Sequence, residues 1–298
     1  MKADRASKTA EYMAFFRGLE TARPKGRSLF QDPFAGLFLS PTLKLLVALS
    51  SLPIGRDLIP RLVQREAPGA FSSGVARTRL IDDLLERTVR EGAKQVILLG
   101  AGFDTRALRL DFLKDTAVIE IDHPDTSRVK QEILKSKTAG LPGNVSYCQA
   151  DFNRQSLDDT GAASNIDFGT AATIIWEGVT NYLSANAVDA TFKWTEKFSR
   201  VDVIFTYIDK KVLHHPEEFV GTESVQRYLR DAEEQWTFGF SPPELPGYLT
   251  AHGLSLIENV TAREYCAKYL SDRKLVTGYE FYRVALARSR GAKGKARA

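Results

Sequence analysis

The stretch that decides the fold runs from Gln95 to Gly102 and reads Gln-Val-Ile-Leu-Leu-Gly-Ala-Gly. A continuous apolar run that ends in glycine predicts a strand buried on both faces, as in a parallel sheet. Glycines at the end of such a strand let a ligand approach the backbone closely, and amides at a following helix start can bind a polar group. We therefore expect a ligand site that includes Gly100 and Gly102.

Similar apolar runs follow this first strand, and segments with helical character separate them. Strands that alternate with helices predict βαβ units and a doubly wound α/β sheet. Two further runs near the end of the chain complete the set. The predicted strands are Gln95–Gly100, Thr116–Ile121, Val145–Gln149, Ala172–Trp176, Val201–Tyr207, Gly253–Val260 and Tyr282–Ala287.

The chain before Gly92 contains no convincing strand. Helices are expected from Ser7, around Pro33, through the apolar region 43–63 with a break near 53–55, and from Ser72 to Glu91. We read the organisation as one domain with additions. Its parts are an N-terminal helical extension packed on the core (1–92), a ligand-binding core (93–288) with a helical lid insertion at about 210–245, and a basic disordered tail (289–298).

Composition excludes several classes of protein. Of the 298 residues, 43% are hydrophobic and 26% are charged, which is ordinary for a globular chain. No apolar stretch reaches the roughly 18 residues that span a bilayer, so we expect no membrane partner and a cytoplasmic location. The net charge of +4 depends on a basic terminal segment rather than a folded face, so no nucleic acid partner is expected. Cys148 and Cys266 are too few for a four-ligand zinc site, and no metal is expected.

Polar residues end several of the predicted strands, where ligands bind in open α/β sheets. Asp122 lies about 20 residues beyond the glycines and suits a ribose, with a helix cap before Thr126 as the alternative; Glu120 lies two residues earlier on the same strand. Asp151 suits an adenine amino group with Phe152 beside the ring, and again a helix cap is the alternative.

A fourth acidic residue, Glu177, ends a buried strand and needs a partner. That partner is either the ammonium group of a ligand or a nearby arginine. The glycine loop itself disfavours a dinucleotide, because Thr105 stands where the third glycine belongs and Asp104 is a poor neighbour for a pyrophosphate. An adenosine that carries a sulfonium and an amino-acid group, as in S-adenosylmethionine, fits this loop better.

The sequence resembles the leucine carboxyl methyltransferase family, and most closely its bacterial branch of S-adenosylmethionine-dependent methyltransferases. The resemblance covers residues from about Ser7 to about Asp209, and the Gly-Ala-Gly-x-Asp-Thr-Arg string is fairly specific. The stretches that carry it are Val96–Arg106, Glu120–Pro124, Ala150–Phe152, Trp176–Leu183, Ser7–Glu11, Phe30–Ala35 and Val75–Arg79.

The resemblance implies a class I methyltransferase fold, whose mostly parallel sheet has seven strands, the last of them antiparallel. It also implies cofactor roles for residues that match the family motifs. Arg77, helped by Lys8, would pair with the methionyl carboxylate, while Gly100 would lie against the methionyl part. The remaining roles are Asp122 for the ribose, Asp151 with Phe152 for adenine, and Glu177 for the amino-acid end.

The acceptor is less defined by the sequence. Family members that methylate a protein's terminal leucine carry an arginine directly after the adenine pair, where this chain has Asn153, so a small molecule is favoured over a protein carboxylate. Tyr182, Tyr207 and His214 follow or end strands and are expected on the acceptor side. We expect O-methylation, with a carboxyl group as one acceptor; the alternatives are a nicotinamide-dependent dehydrogenase and a cofactor-binding homologue without activity.

Overall fold

The computed structural model describes residues 8–152, 154–158, 165–232, 234–273 and 278–289. The predicted tail, apart from Ser289, lies outside the described residues. Within them, no helix is both long enough and apolar enough to cross a membrane.

Seven strands form one sheet in the order β3-β2-β1-β4-β5-β7-β6. β1 pairs in parallel with β2 and β4, and β7 pairs antiparallel with both β5 and β6. The predicted seven-stranded sheet with an antiparallel last strand is therefore confirmed. The strands are β1 (Gln95–Leu99), β2 (Ala117–Asp122), β3 (Val145–Gln149), β4 (Ala171–Trp176), β5 (Arg200–Ile208), β6 (Leu254–Thr261) and β7 (Tyr282–Ser289).

Helices precede the sheet and connect its strands. The prediction of a helix around Pro33 is wrong, because the chain forms only a short 3-10 turn at Ala35–Phe38. Asp32 accepts hydrogen bonds from the backbone amides of Phe34 and Ala35, and these bonds fix a tight turn. The helices are α1 (Lys8–Thr21), α2 (Pro41–Ser50), α3 (Gly55–Glu66), α4 (Ala70–Arg90), α5 (Arg106–Arg109), α6 (Pro124–Lys137), α7 (Ala185–Thr195), α8 (Thr222–Ala232), α9 (Leu245–Ala251) and α10 (Ala262–Leu270).

Each face of the sheet carries its own apolar core, because successive side chains of a strand point to opposite faces. Val96 and Leu98 pack with α4 and α10 on one face. Ile97 and Leu99 pack with α7 and α9 on the other. The continuous apolar run of β1 thus follows from burial on both sides.

A buried ion pair attaches the N-terminal helices to the loop after β1. Arg17 donates from Nε to Asp32 Oδ2 at 2.7 Å and from Nη2 to the carbonyl of Phe103 at 2.5 Å. Thr105 donates its hydroxyl to the same Asp32 oxygen at 2.6 Å. Because a buried charge without a partner is costly, these contacts fix α1 against the glycine loop.

We predict that Asp32→Ala lowers the free energy of unfolding by about 3 kcal/mol, because it leaves the buried Arg17 guanidinium without its carboxylate. Urea unfolding followed by circular dichroism measures the loss. The control is Glu86→Ala, which removes an exposed pair with Arg90 and should cost less than about 0.5 kcal/mol. Equal losses in the two variants would contradict a structural role for the Asp32 pair.

Candidate functional site

A cavity of about 1180 Å³ opens at the carboxyl edge of β1, β2 and β4. One part of its wall consists of residues that follow these strands, together with one residue of α4. The other part is mainly apolar and comes from α1 to α4 and the segment after β5. The first part includes Gly100, Gly102, Asp122, Asp151, Phe152, Glu177 and Arg77; the second includes Met13, Phe16, Leu46, Val63, Tyr228 and Trp236.

The glycine loop after β1 has a backbone that other residues rarely adopt. Gly100 has φ +67°, and a Cβ there would lie 2.3 Å from Cγ2 of Val179. Gly102 has φ +49°, and its amide donates to Asp122 Oδ2 at 2.7 Å. The loop therefore needs glycine at Gly100 and is held against the end of β2.

Asp122 lies at the cavity wall with both carboxylate oxygens held by backbone amides, those of Gly102 and His123, each at 2.7 Å. Burial raises the pKa of Asp122, and the two amides oppose that shift. The helix-cap interpretation of Asp122 is wrong, because His123 is the N-cap of α6. Glu120 pairs instead with buried Lys130 at 2.7 Å. Asp122 is thus the carboxylate of β2 that a ligand can reach.

Glu177 receives two arginines, so the arginine interpretation of its partner is correct. Arg77 donates from Nε to Glu177 Oε1 at 2.9 Å, and Arg106 donates from Nη2 to Oε2 at 2.9 Å. The guanidinium carbon of Arg77 lies 4.7 Å from the centre of the Tyr282 ring. Arg77 is therefore a positioned, buried cation at the cavity wall rather than a solvated surface charge.

Arg106 was given no role by the sequence analysis, although it closes the Gly-Ala-Gly-x-Asp-Thr-Arg string. Its buried guanidinium donates to Asp82 at 2.8 Å and also pairs with Asp104. It thereby joins α4, the glycine loop and the end of β4. Three carboxylates around one guanidinium would have been hard to detect from the sequence, since Asp82 belongs to another helix.

Two of the carboxylates beside Arg106, those of Asp104 and Glu177, are ionised at neutral pH. Burial alone would raise the pKa of Asp104, but the neighbouring Arg106 lowers it to about 2. Burial would likewise raise the pKa of Glu177, and Arg106 and Arg77 lower it instead. The cavity wall beside the glycine loop therefore carries fixed negative charge as well as arginine.

The segment after β3 contributes Asp151 and Phe152, both partly buried on the wall. Nε of Arg154 lies 3.5 Å from Oδ2 of Asp151. The backbone amide of Arg154 donates to the Asp151 carbonyl, so a turn begins here. Asn153 lies outside the described residues. The structure brings Asp151 and Phe152 to the same cavity as Asp122 and the glycine loop.

The predicted acceptor-side residues separate. Tyr182 lines the cavity. Tyr207 is fully buried on the sheet face that packs with α7 and α9, and it donates its hydroxyl to Asn259 at 3.0 Å. The expectation for Tyr207 is wrong, because alternation along β5 turns Thr206, not Tyr207, toward the site. Gly178 confirms this direction by donating its amide to the Thr206 hydroxyl.

His214 and Lys8 also lie off the cavity wall. His214 is exposed in a separate shallow depression with Asp209 and Ser241, because the chain after β5 turns outward through a 3-10 turn at Lys210–Leu213. Lys8 is exposed at the first turn of α1, and the wall begins at the next residue. Among the described wall residues, His123 is the single histidine.

The segment predicted as a lid lies partly on the cavity wall and partly in the apolar core. Tyr228 of α8 and Trp236 line the cavity, as a cover would. Phe240 packs instead into the core on the α7 face, and Phe219 packs against Phe281. One metal-ligand grouping exists among the described residues, made of the exposed side chains of His215, Glu217 and Glu218, and it does not line the cavity.

Solved structures with the same fold define the class. The chain is similar to a protein from Thermobifida fusca that is inferred to be a methyltransferase. The TM-score is 0.57 and the identity is 17%, and the match covers 92% of this chain and 98% of that chain. A DUF574 family protein from Streptomyces avermitilis gives a TM-score of 0.62 at 14% identity, covering 96% and 99%. The fold is thus that of class I methyltransferases.

The leucine carboxyl methyltransferase family model matches residues 10–196, and the chain belongs to that family. Its relatives include inferred S-adenosyl-L-methionine-dependent methyltransferases. The one from Streptomyces coelicolor is 34% identical over 190 residues, and the one from Frankia alni is 35% identical over 186. Each match covers 61% of this chain and 61% of the relative, so the chain spans less than two thirds of their length.

We predict that the Arg106 cluster makes stability depend on pH in acid. The pKa of Asp104 is lower in the folded chain than its ordinary value of 3.8, so its contribution is present above about pH 4 and is lost as the pH falls toward 2. Urea unfolding from pH 5 to pH 2 should show a loss of roughly 2 kcal/mol from this group. Asp104→Asn should be less stable at pH 7 and should lose less on acidification; parallel curves for the two proteins would contradict this.

Proposed function

We propose that this chain transfers a methyl group from S-adenosylmethionine to the oxygen of a small-molecule acceptor, with a carboxyl group as the methylated group. One observation carries the proposal. Apart from Lys8, the residues expected to hold the ribose, the adenine and the amino-acid end line a single cavity, and the rest of that cavity is mainly apolar. A cofactor in the first part would thus have an apolar chamber beside it for the acceptor.

Each cofactor group has a matching residue. Asp122 has two oxygens that each accept one amide and keep a second acceptor position for a ribose hydroxyl. Arg77 carries five N–H donors. Its Nε donates to Glu177 and its Nη2 donates to Met13 Sδ at 3.3 Å, and the remaining N–H groups of its outer nitrogens suit the methionyl carboxylate. The anionic Glu177 is suited to the ammonium group.

The same wall argues against a nicotinamide dinucleotide. Asp104 lines the cavity at the glycine loop, and Arg106 lowers its pKa to about 2, so it is ionised. A pyrophosphate in that position would face this carboxylate, which is a poor neighbour for it even though Asp104 pairs with Arg106. The fixed charge favours a ligand whose reactive end is cationic.

The bound cofactor supplies an activated methyl group and a neutral leaving group, so the protein mainly provides alignment. The apolar chamber excludes water and holds the body of the acceptor. A carboxylate acceptor is ionised at neutral pH and needs no base. A hydroxyl acceptor would need one. The carboxylates that line the chamber are those of Glu66 and Glu234, and Glu234, which accepts from Thr9 Oγ1 at 2.5 Å, is the candidate base.

We predict that Asp122→Ala weakens binding of S-adenosylhomocysteine by about 2 kcal/mol or more, roughly thirtyfold, because two ribose hydroxyls lose a charged acceptor. Isothermal titration calorimetry measures the dissociation constant. Asp111→Ala is the matched control, since its exposed carboxylate lies on a nearby turn and does not line the cavity. An unchanged constant in folded Asp122→Ala, or binding of NAD by the wild-type protein in place of S-adenosylhomocysteine, would overturn the cofactor assignment.

We predict, for the acceptor, that carboxylic acids are methylated with a flat rate from about pH 6 to 9, because their pKa near 4 is already passed. Transfer from a tritiated methyl donor to paired acids and alcohols measures this. Glu234→Gln should leave the rate with acids within about threefold, whereas a hydroxyl acceptor would lose about a hundredfold or more. His214→Ala is the control and should change neither. Turnover of alcohols alone, abolished in Glu234→Gln, would contradict carboxyl methylation; no turnover with any acceptor would favour a binding protein.

A further inference from the structure

The hairpin of α2 and α3, residues 41–66, has apolar side chains on both of its sides. Leu46 and Val63 face the cavity, and Ile59 is buried. The outer side is also apolar. Of the nine large hydrophobic side chains that are exposed among the described residues, six belong to this hairpin: Leu45, Leu49, Leu52, Ile54, Leu58 and Leu62, of which Leu62 also lines the cavity.

Such clustering on the outside of a helix pair is unusual. A helix that is apolar all round is normally buried, and a contiguous exposed apolar patch marks an interaction surface. Ile54 is 82% exposed and Leu45 is 59% exposed, so the core of this chain does not cover them. The outer face of the hairpin therefore requires a partner of apolar character.

Charged residues lie among these leucines, and the four basic ones outnumber the two acidic ones, Asp57 and Glu66, which leaves the hairpin with a net charge of +2. On α3, Arg61 and Arg65 are exposed and fall on the same helix face as Leu58 and Leu62, by their three- and four-residue spacing. On α2, exposed Lys44 precedes Leu45. Leucines with interspersed Lys and Arg are typical of helices that lie in the interface of an anionic bilayer.

We propose that the α2–α3 hairpin docks on the surface of an anionic lipid bilayer. Charge decides between a bilayer and a second copy of the chain. A two-fold interface would place two hairpins of net positive charge against each other, which is unfavourable, whereas anionic headgroups neutralise that charge. The expectation of no membrane partner depended on the lack of a spanning segment, and interfacial docking needs none.

Docking is independent of methyl transfer and is tested on the full chain without any substrate. The probe is vesicles of equimolar phosphatidylcholine and phosphatidylglycerol, compared with phosphatidylcholine alone, by cosedimentation. The wild-type protein should bind the anionic vesicles, and more weakly at high salt. Leu52→Ser with Ile54→Ser, in the exposed turn, should weaken binding at least tenfold. Arg61→Gln with Arg65→Gln should weaken it by about fivefold per charge on anionic vesicles only.

Two controls separate the hairpin from other causes. Val220→Ser with Ile257→Ser removes two exposed apolar residues elsewhere and should leave vesicle binding unchanged. Deletion of the basic residues 291–298 tests the tail, and binding that persists in this variant but not in the turn variant supports the proposal. Binding lost only with the tail, absent binding, or a dimer that the turn variant alone dissociates would each overturn it. Circular dichroism establishes that every variant is folded.

Discussion

The buried guanidinium of Arg106 is the interaction on which the site depends. It pairs with Asp82 of α4, Asp104 of the glycine loop and Glu177 at the end of β4. Desolvating so many charges is tolerable only when each keeps its partner, so these elements hold one relative position. Arg77 joins the cluster through Glu177. The cavity wall beside β1 is thereby fixed before any ligand binds, which reduces the cost of ordering it.

The cavity joins two environments that come from different parts of the chain. Its charged part consists of residues that follow the strand ends. There the sheet positions the loop at Gly100 and the two backbone amides that donate to Asp122. Its apolar part belongs to α1–α4 and to the segment after β5. The family match ends at residue 196, before that last segment begins. The match therefore covers the charged part and α1–α4, whereas Tyr228 and Trp236 lie beyond it.

Sequence reasoning located the strands to within a residue or so, because runs such as Gln95–Leu99 are apolar on both faces and end in glycine. It also brought Asp122 and Glu177 to the correct edge of the sheet, since residues that end parallel strands meet there. It did not find Arg106, whose partners lie far apart in the sequence. Tyr207 was placed on the wrong face, which the alternation from Thr206 could have revealed. The helix near Pro33 failed because Asp32 binds nearby amides and Arg17 instead.

A crystal structure of the full chain with S-adenosylhomocysteine tests the central claim most directly. We predict density in the cavity of about 1180 Å³, with both ribose hydroxyls in hydrogen-bond contact with Asp122. The amino-acid end should lie beside Arg77 and Glu177, and the apolar chamber should adjoin the sulfur. A ligand bound elsewhere, or in this cavity without contact to Asp122 and Arg77, would contradict the account.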